Sequence, residues 1–355
     1  MGSVLPPRGS VWIFTHDYPD PDAMASAAAL HLLFQERFKR NSHIYFTGCA
    51  ARAENREMNK HFRYRTIPSE RIRTGRHRVT PAFFVDSQPW SGNIQVPAAA
   101  RAVGVFDHHP LSRRAKTEGM FLDIRPGVGA TASIMWEYLN ACSILPPAWL
   151  ATCLCYAILT ETRSFTRGFT PLDRQAYLSL LTRADLRMLG SIQQAPLPQS
   201  YFAALQEGFM HTRFYGHIAW THLKSAPHPE LISEIADQLL RLERITWSFC
   251  TGVIDGQLMV SLRSARRDTR CDRILKTVMG PQGSAGGHDR MSAGSMDLRA
   301  LSTEEREERI GAFTRALLRR LDPRHAARDD AEALESRRLT EASRTPEPPP
   351  PAPET

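Results

Sequence analysis

VGVFDHHP, residues 103–110, is an apolar segment that ends in one carboxylate and two imidazoles. An apolar strand that stops at Asp107, His108 and His109 carries metal-ligand side chains to its carboxyl end, where open α/β sheets bind ligands. Adjacent histidines are also common on ordinary protein surfaces. Other segments must therefore support a metal site.

The same order of apolar strand and polar end occurs twice earlier in the chain. SVWIFTH ends at His16, and PAFFVDSQPW runs through Asp86. Strand segments alternate with helical patterns, which predicts an α/β fold with a mainly parallel, doubly wound sheet. Because the carboxyl ends of parallel strands share one edge of a sheet, we expect these side chains to converge.

The turn DYPDPD leads from the first strand into an Ala-rich helix, and two of its three aspartates, Asp20 and Asp22, are candidate ligands. Asp20 and Asp22 can point the same way from this turn, and adjacent carboxylates repel unless a cation lies between them. The alternative interpretation is that one of them caps the helix. Capping explains one carboxylate but not the pair together with His16.

The chain is predicted to contain two domains. Residues 1–185 form the first, 186–213 a helical linker, 214–322 a smaller α/β domain, and 323–355 a disordered tail rich in Pro, Glu and Arg. Asp255 and Gly256 predict a hairpin turn in the second domain. GPQGSAGGHDRMSAGSM is predicted to be one loop, whose exposed backbone N–H groups could approach an anion together with Arg263. A plain surface loop is the alternative.

Composition limits the class of protein. The 355 residues are 42% hydrophobic, and 45 Lys and Arg against 37 Asp and Glu give a net charge of +8, which fits an anionic ligand. Six cysteines without a CxxC pair indicate neither a zinc knuckle nor a disulfide scaffold. Without a signal core or an apolar run of membrane-spanning length, we expect a soluble, cytoplasmic protein.

Five motifs together resemble the DHH phosphoesterase family in order and spacing: HDYPDPDAMAS, FVDS, FDHHP, ILTETRSF and GSAGGHDRMSAG. The first four are similar to the catalytic DHH domain, and the fifth to the glycine-rich motif of the DHH-associated domain. The two-domain size resembles the oligoribonuclease and pAp-phosphatase branch more than the larger RecJ exonucleases.

The resemblance implies a role for each motif residue. One divalent ion would be held by His16 and Asp20, the other by Asp22 and His108, and Asp86 would bridge them. Glu161 stands where the family has an aspartate, Asp107 would support the ligands, and His109 would face the substrate phosphate. The far end of the substrate would be held by Arg263, Gly286, Gly287 and His288.

The expected function is hydrolysis of phosphate esters in short oligonucleotides or small pAp-like nucleotides, with water activated by two metal ions. Mn²⁺ is the expected ion, and Mg²⁺ or Co²⁺ are substitutes. The alternatives are a RecJ-like single-strand exonuclease, a polyphosphatase, or a nucleotide-binding module whose catalysis is reduced by Glu161. The expected partner is a short single-stranded oligonucleotide or a nucleotide and not a membrane, and a homodimer is left open.

Overall fold

The chain folds as two units, Met1–Pro196 and Leu197–Thr355. The computed structural model describes residues 2–5, 9–48, 52–72, 79–111, 115–166, 168–224, 226–266, 268–322 and 337–338. The division falls inside the predicted linker 186–213. Within these residues, no helix combines the length and apolar character needed to traverse a lipid bilayer.

Six parallel strands form the sheet of the first unit. They are β1 (Val11–Phe14), β2 (Ser42–Phe46), β3 (Thr66–Pro68), β4 (Thr80–Val85), β5 (Ala100–Asp107) and β6 (Phe121–Ile124). Their order is β3-β2-β1-β4-β5-β6, so the direction of winding reverses between β1 and β4. The predicted α/β fold is confirmed, and the reversal marks the position where such sheets bind ligands.

The described residues of this unit form six α-helices: α1 (Pro21–Phe38), α2 (Ala53–His61), α3 (Thr131–Ala141), α4 (Ala148–Glu161), α5 (Pro171–Leu181) and α6 (Leu186–Gln193). The main core lies between one face of the sheet and the apolar sides of α1, α3 and α4. On the other face, Phe14, Tyr45 and Phe84 form a stacked aromatic row. Because both faces of the sheet are packed, the sequences of its strands are nearly continuous apolar runs.

In the second unit, the part of the chain that the structure describes forms a seven-stranded sheet. Its strands are β7 (Arg213–Tyr215), β8 (Ile218–Leu223), β9 (Trp247–Ile254), β10 (Gln257–Ser264), β11 (Gly283–His288), β12 (Met291–Asp297) and β13 (Arg337–Arg338), in the order β11-β12-β10-β9-β8-β7-β13. Its helices are α7 (Gln199–Met210), α8 (Pro229–Leu239), α9 (Cys271–Met279) and α10 (Thr303–Leu321). Of the predicted tail, the described part is β13, which pairs with β7; the rest lies outside the described residues.

The glycine-rich segment of this unit is a hairpin, so the prediction of one loop was wrong. β11 and β12 pair antiparallel from Gly283 with Met296 to His288 with Met291. A Cβ atom on Gly287 would lie 2.3 Å from the carbonyl oxygen of Met291. The glycines therefore allow two backbones to approach closely, which composition alone does not distinguish from a loop. The turn predicted at Asp255 and Gly256 joins β9 to β10 and is confirmed.

Candidate metal centre

The predicted ligands of the first unit lie at the carboxyl ends of three adjacent strands. His16 follows β1, Asp86 follows β4 directly, and His108 follows the last residue of β5. These strands are neighbours in the order β1-β4-β5. The convergence expected from the sequence is therefore present, at the point where the sheet reverses its winding.

Asp86 lies between two groups of side chains that could each hold a metal ion. One group is His16, Asp20 and Asp86, and the other is Asp86, His108 and His109, with ligand atoms within 4.8 Å of one another in each. Asp86 Oδ2 lies 3.8 Å from His16 Nε2, and Asp86 Oδ1 lies 3.5 Å from His108 Nε2. Each oxygen of one buried carboxylate thus faces a different imidazole, which is the arrangement a bridging ligand requires.

Backbone carbonyls set the tautomers of the two imidazoles. His16 Nδ1–H donates to the carbonyl of Asp17 at 2.8 Å, and His108 Nδ1–H donates to that of Val128 at 3.1 Å. In neutral rings this leaves an unprotonated Nε2 on the side of the carboxylates, as in metal-binding histidines. His108 Nε2 is buried and has no hydrogen-bond partner among the described residues. A cation would satisfy that atom, so the residues present fit a metal ion.

Asp20 and Asp22, two of the three aspartates of the DYPDPD segment, each act as a helix cap. Asp20 Oδ1 accepts from Ala23 N at 2.9 Å at the start of α1. Asp22 accepts from Thr131 N and Ala132 N, each at 2.7 Å, at the start of α3. Asp20 also lies 3.8 Å from His16 Nε2, whereas Asp22 is in neither of the two ligand groups. A carboxylate has about four acceptor positions, so capping leaves capacity for a cation, and the ligand role of Asp22 stays a prediction.

Asp107 holds His109 in place. Its Oδ1 accepts from His109 Nδ1–H at 2.9 Å and from His109 N at 3.0 Å. Nδ1 is also the His109 nitrogen that lies 3.8 Å from Asp86, so Asp107 competes with a cation for this atom. The ring is 56% exposed, and its Nε2 remains for a ligand. This geometry favours the predicted substrate-facing role of His109 over a metal-ligand role.

Glu161, the last residue of α4, reaches the same centre. Its Oε1 lies 3.9 Å from His108 Nε2. The residue is glutamate where the resemblance implies aspartate, and its longer side chain nevertheless ends beside the second group of ligands. Glu161 is thus placed where a shared ligand is expected.

Burial and neighbouring negative charge raise the pKa of two carboxylates of the site, Asp86 and Asp22. Burial, and then the negative charge of Asp20, raises the pKa of Asp86 well above its usual range. Burial, and then the charge of Asp86, does the same to the pKa of Asp22. Burial opposes the charged form of His109, but its hydrogen bond to Asp107 and the charge of Asp86 outweigh burial and raise its pKa to about 9. Without a cation, the site holds its negative charge at a cost.

Two functional candidates were missed in the sequence. Thr131 Oγ1 donates to Asp86 Oδ1 at 2.8 Å, and buried Gln88 donates from Nε2 to Asp107 Oδ2 at 2.8 Å. Thr131 begins α3, and threonine is an ordinary residue at a helix start, so the sequence carries no signal of its bond to Asp86. For Gln88 the available signal was a polar residue two positions after a strand-end carboxylate.

The structure gives less information about the predicted substrate-binding residues of the second unit. Arg263 is 7% exposed, and its Nε lies 2.7 Å from Asp237 Oδ1 of α8, so a substrate anion would compete with that ion pair. Gly286 and Gly287 lie in β11, at one edge of the sheet. His288 ends this strand, and its side chain lies outside what the structure describes. The substrate role of these four residues stays a prediction.

The first unit is thus an α/β domain with a paired carboxylate and imidazole site at the switch point of its sheet. Residues 10–158 match the model of the DHH family, N-terminal domain.

Three relatives illustrate the similarity. An uncharacterized protein of Methanocaldococcus jannaschii is 30% identical over 84% of this chain and 61% of its own length. A probable manganese-dependent inorganic pyrophosphatase of Lactobacillus delbrueckii is 28% identical over 46% of this chain and 51% of its own. The chain thus spans about half to three fifths of these curated relatives. The crystal structure of an exopolyphosphatase-related protein from Bacteroides fragilis has the same fold, with a TM-score of 0.63 and 14% identity, over 87% of this chain and 92% of its own.

Proposed function

We propose that the protein is a phosphoesterase that uses two divalent cations, most favourably Mn²⁺, to hydrolyse short oligonucleotides or small nucleotides. The observation that carries the proposal is the position of Asp86, whose two oxygens face His16 and His108 in two ligand groups. Carboxylate oxygens with a pair of imidazoles suit Mn²⁺ or Mg²⁺ better than structural zinc. The match to the DHH family and the manganese-dependent relative support the same choice.

Each residue of the site would have a separate role in binding the cations or the substrate. His16 and Asp20 would hold one cation, His108, Glu161 and Asp22 the other, and Asp86 both. When bound, the pair of cations would neutralise phosphoryl oxygens and lower the pKa of a water between them. His109 would donate from Nε2 to a substrate phosphoryl oxygen, because its Nδ1 is held by Asp107. None of these residues needs to become covalently attached to substrate.

Cleavage of a phosphoanhydride is the second candidate. It is favoured by the named activity of the pyrophosphatase relative, whose match covers 46% of this chain. The same metal centre would serve either reaction, since both transfer a phosphoryl group to water. What separates the two candidates is recognition of the group attached to the phosphate.

A substrate panel tests the proposal. The full chain is assayed with Mn²⁺, Mg²⁺ or Co²⁺ on di- to decanucleotides, pAp-type nucleotides, cyclic dinucleotides, pyrophosphate and polyphosphate. We expect Mn²⁺-dependent release of mononucleotide from the shortest oligonucleotides, or of phosphate from the pAp-type compound. Hydrolysis restricted to pyrophosphate or polyphosphate would select the second candidate.

Asp86→Asn tests the bridging role. The substitution keeps the size of the side chain and removes the charge shared by the two ligand groups, so we expect kcat to fall on the order of 10³-fold. Asp268→Asn is the control, because Asp268 is 73% exposed and pairs with Arg266. Bound manganese is counted by elemental analysis in each variant. Normal turnover in folded Asp86→Asn would contradict the two-ion site.

A further inference from the structure

Tyr18 is an exposed aromatic residue inside the loop that carries two of the metal-ligand candidates. It lies between His16 and Asp20, its side chain is 66% exposed, and its φ is 54°. A bulky residue in the left-handed region is uncommon, because its Cβ crowds the backbone. Strain of this kind, combined with exposure of a large apolar ring, calls for a functional explanation.

The loop around Tyr18 is held in place by the backbone. Tyr18 N–H donates to the carbonyl of Thr47 at 2.7 Å, and Asp17 N–H donates to that of Asn93 at 2.8 Å. The Asp17 carbonyl in turn accepts from His16 Nδ1. The conformation that presents the ring is therefore coupled to the orientation of His16.

Gly48 supports one side of the ring. A Cβ atom on Gly48 would lie 2.5 Å from Tyr18 Cδ1 and 2.7 Å from Cε1. The ring thus rests on bare backbone just after β2, in a space that a side chain at position 48 would fill. With one side supported and most of the residue exposed, the ring forms a small, fixed aromatic platform.

The platform is close to the metal centre. Tyr18 is two residues from His16 and two from Asp20, so its Cα lies within about 7.6 Å of the Cα atom of each. If the phosphate of a nucleotide bound at the metal centre, its base would lie close enough to contact the ring of Tyr18. Inorganic pyrophosphate would have nothing to place on the ring.

We propose that Tyr18 is a specificity-determining residue that stacks on a nucleobase of the substrate and selects nucleotides over inorganic phosphoanhydrides. The inference rests on the proposed function and names the residue that separates its two candidates. Stacking on an aromatic ring tolerates every base, because each base has a π face. The selection is therefore for the presence of a base and only weakly for its identity.

Three variants test this role. Tyr18→Asn removes the ring and retains a residue type that tolerates a positive φ. Tyr18→Phe keeps the ring without the hydroxyl, and Phe202→Ala removes an aromatic residue of α7 that is 57% exposed. For Tyr18→Asn we expect the ratio of kcat/KM for a dinucleotide to kcat/KM for pyrophosphate to fall about tenfold, mainly through KM for the dinucleotide. Tyr18→Phe and Phe202→Ala should keep the wild-type ratio.

A binding measurement separates this inference from the proposed function. A dinucleotide containing 2-aminopurine is mixed with the full chain and Mn²⁺, and its fluorescence is read before turnover. We expect quenching in the wild type and Tyr18→Phe, and about tenfold weaker apparent affinity in Tyr18→Asn. If this pattern holds while the panel shows no hydrolysis, the proposed function fails, and stacking of a nucleobase on Tyr18 stands as a binding contact.

Several outcomes would overturn the role of Tyr18. They are an unchanged substrate ratio in Tyr18→Asn, an equal loss on both substrates, a loss of bound manganese, and a loss in Tyr18→Phe as large as in Tyr18→Asn. The second and third would show that Tyr18 supports the metal loop and does not contact substrate. The last would show that the hydroxyl, not stacking, matters.

Discussion

Asp86 is positioned by its backbone as much as by its side chain. Its N–H donates to the carbonyl of Phe106 at 2.9 Å, and its φ of 56° turns the chain sharply at the end of β4. Thr131 then donates a hydroxyl hydrogen bond to Oδ1. These constraints leave the carboxylate little freedom, as expected for a ligand whose two oxygens must serve different cations.

Gln88 should matter for catalysis through its hydrogen bond to Asp107. Its Nε2 donates to Asp107 Oδ2, and its Oε1 accepts from Trp90 Nε1 at 2.7 Å, so it orients the carboxylate that holds His109. Gln88→Leu leaves both partners without this bond, and we expect kcat to fall about 10- to 100-fold.

The companion measurements for Gln88→Leu are bound manganese and KM. Both should stay near wild type, because the metal-ligand candidates retain their own contacts. Gln88→Glu is the matched variant. Its carboxylate would face Asp107 and repel it, so we expect kcat to stay well below the wild-type value. A Gln88→Leu enzyme with full kcat would show that Asp107 needs no such support.

At the scale of elements, two helices connect the site to the core. α3 begins at Thr131, and its first N–H groups donate to Asp22 in the first turn of α1. α4 is buried along most of its length and ends at Glu161 beside His108. The packing of α3 and α4 thus fixes where the carboxylates of Asp22 and Glu161 lie at the strand ends. A shift of either helix would move the site.

The β11–β12 hairpin offers a test on two adjacent glycines. Gly287 has a φ of 142° and no room for a Cβ atom, whereas a Cβ atom on Gly286 would meet nothing within 4 Å. We expect Gly287→Ala to lower the free energy of unfolding by about 2 kcal/mol or more, through strain and overlap with the Met291 carbonyl. Gly286→Ala should change it by roughly 0.5 kcal/mol or less. Denaturant titration measures the free energy of unfolding of both variants. Equal values for Gly287→Ala and Gly286→Ala would contradict the hairpin.

At the scale of the whole molecule, the charge balance of the site should couple stability to metal and pH. The pKa values of Asp86 and Asp22 are raised in the folded protein. In the metal-free protein these groups therefore contribute stability that is present while they hold protons and is lost as pH rises above the ordinary aspartate range. A bound cation would replace those protons.

We therefore expect Mn²⁺ to raise Tm, and to raise it more at pH 8 than at pH 6, where protons compete for the same atoms. At 100 times Kd the gain would correspond to about 2.7 kcal/mol. Thermal scans with Mn²⁺ and with a chelator measure this increase in Tm. The Asp86→Asn variant should lose most of the increase. An increase in Tm that is the same at both pH values would argue against binding at these carboxylates.

Sequence alone determined where the metal-ligand candidates of the first unit would meet. His16, Asp86 and Asp107 to His109 each follow an apolar strand, and parallel strands necessarily align their carboxyl ends at one edge. The turn at Asp255 was equally predictable, because turn chemistry acts within a few positions.

Only the tertiary structure decided the contacts between distant segments. The bonds from α3 to Asp22 span 109 and 110 residues, and no local period encodes them. The pairing of Arg263 with Asp237, the Gln88 bond to Asp107 and the close strands of the glycine hairpin depend in the same way on which surfaces are brought together. Local patterns specify elements and their ends, whereas partners of buried polar groups are chosen by packing, because each such group must find the acceptor or donor that the fold brings to it.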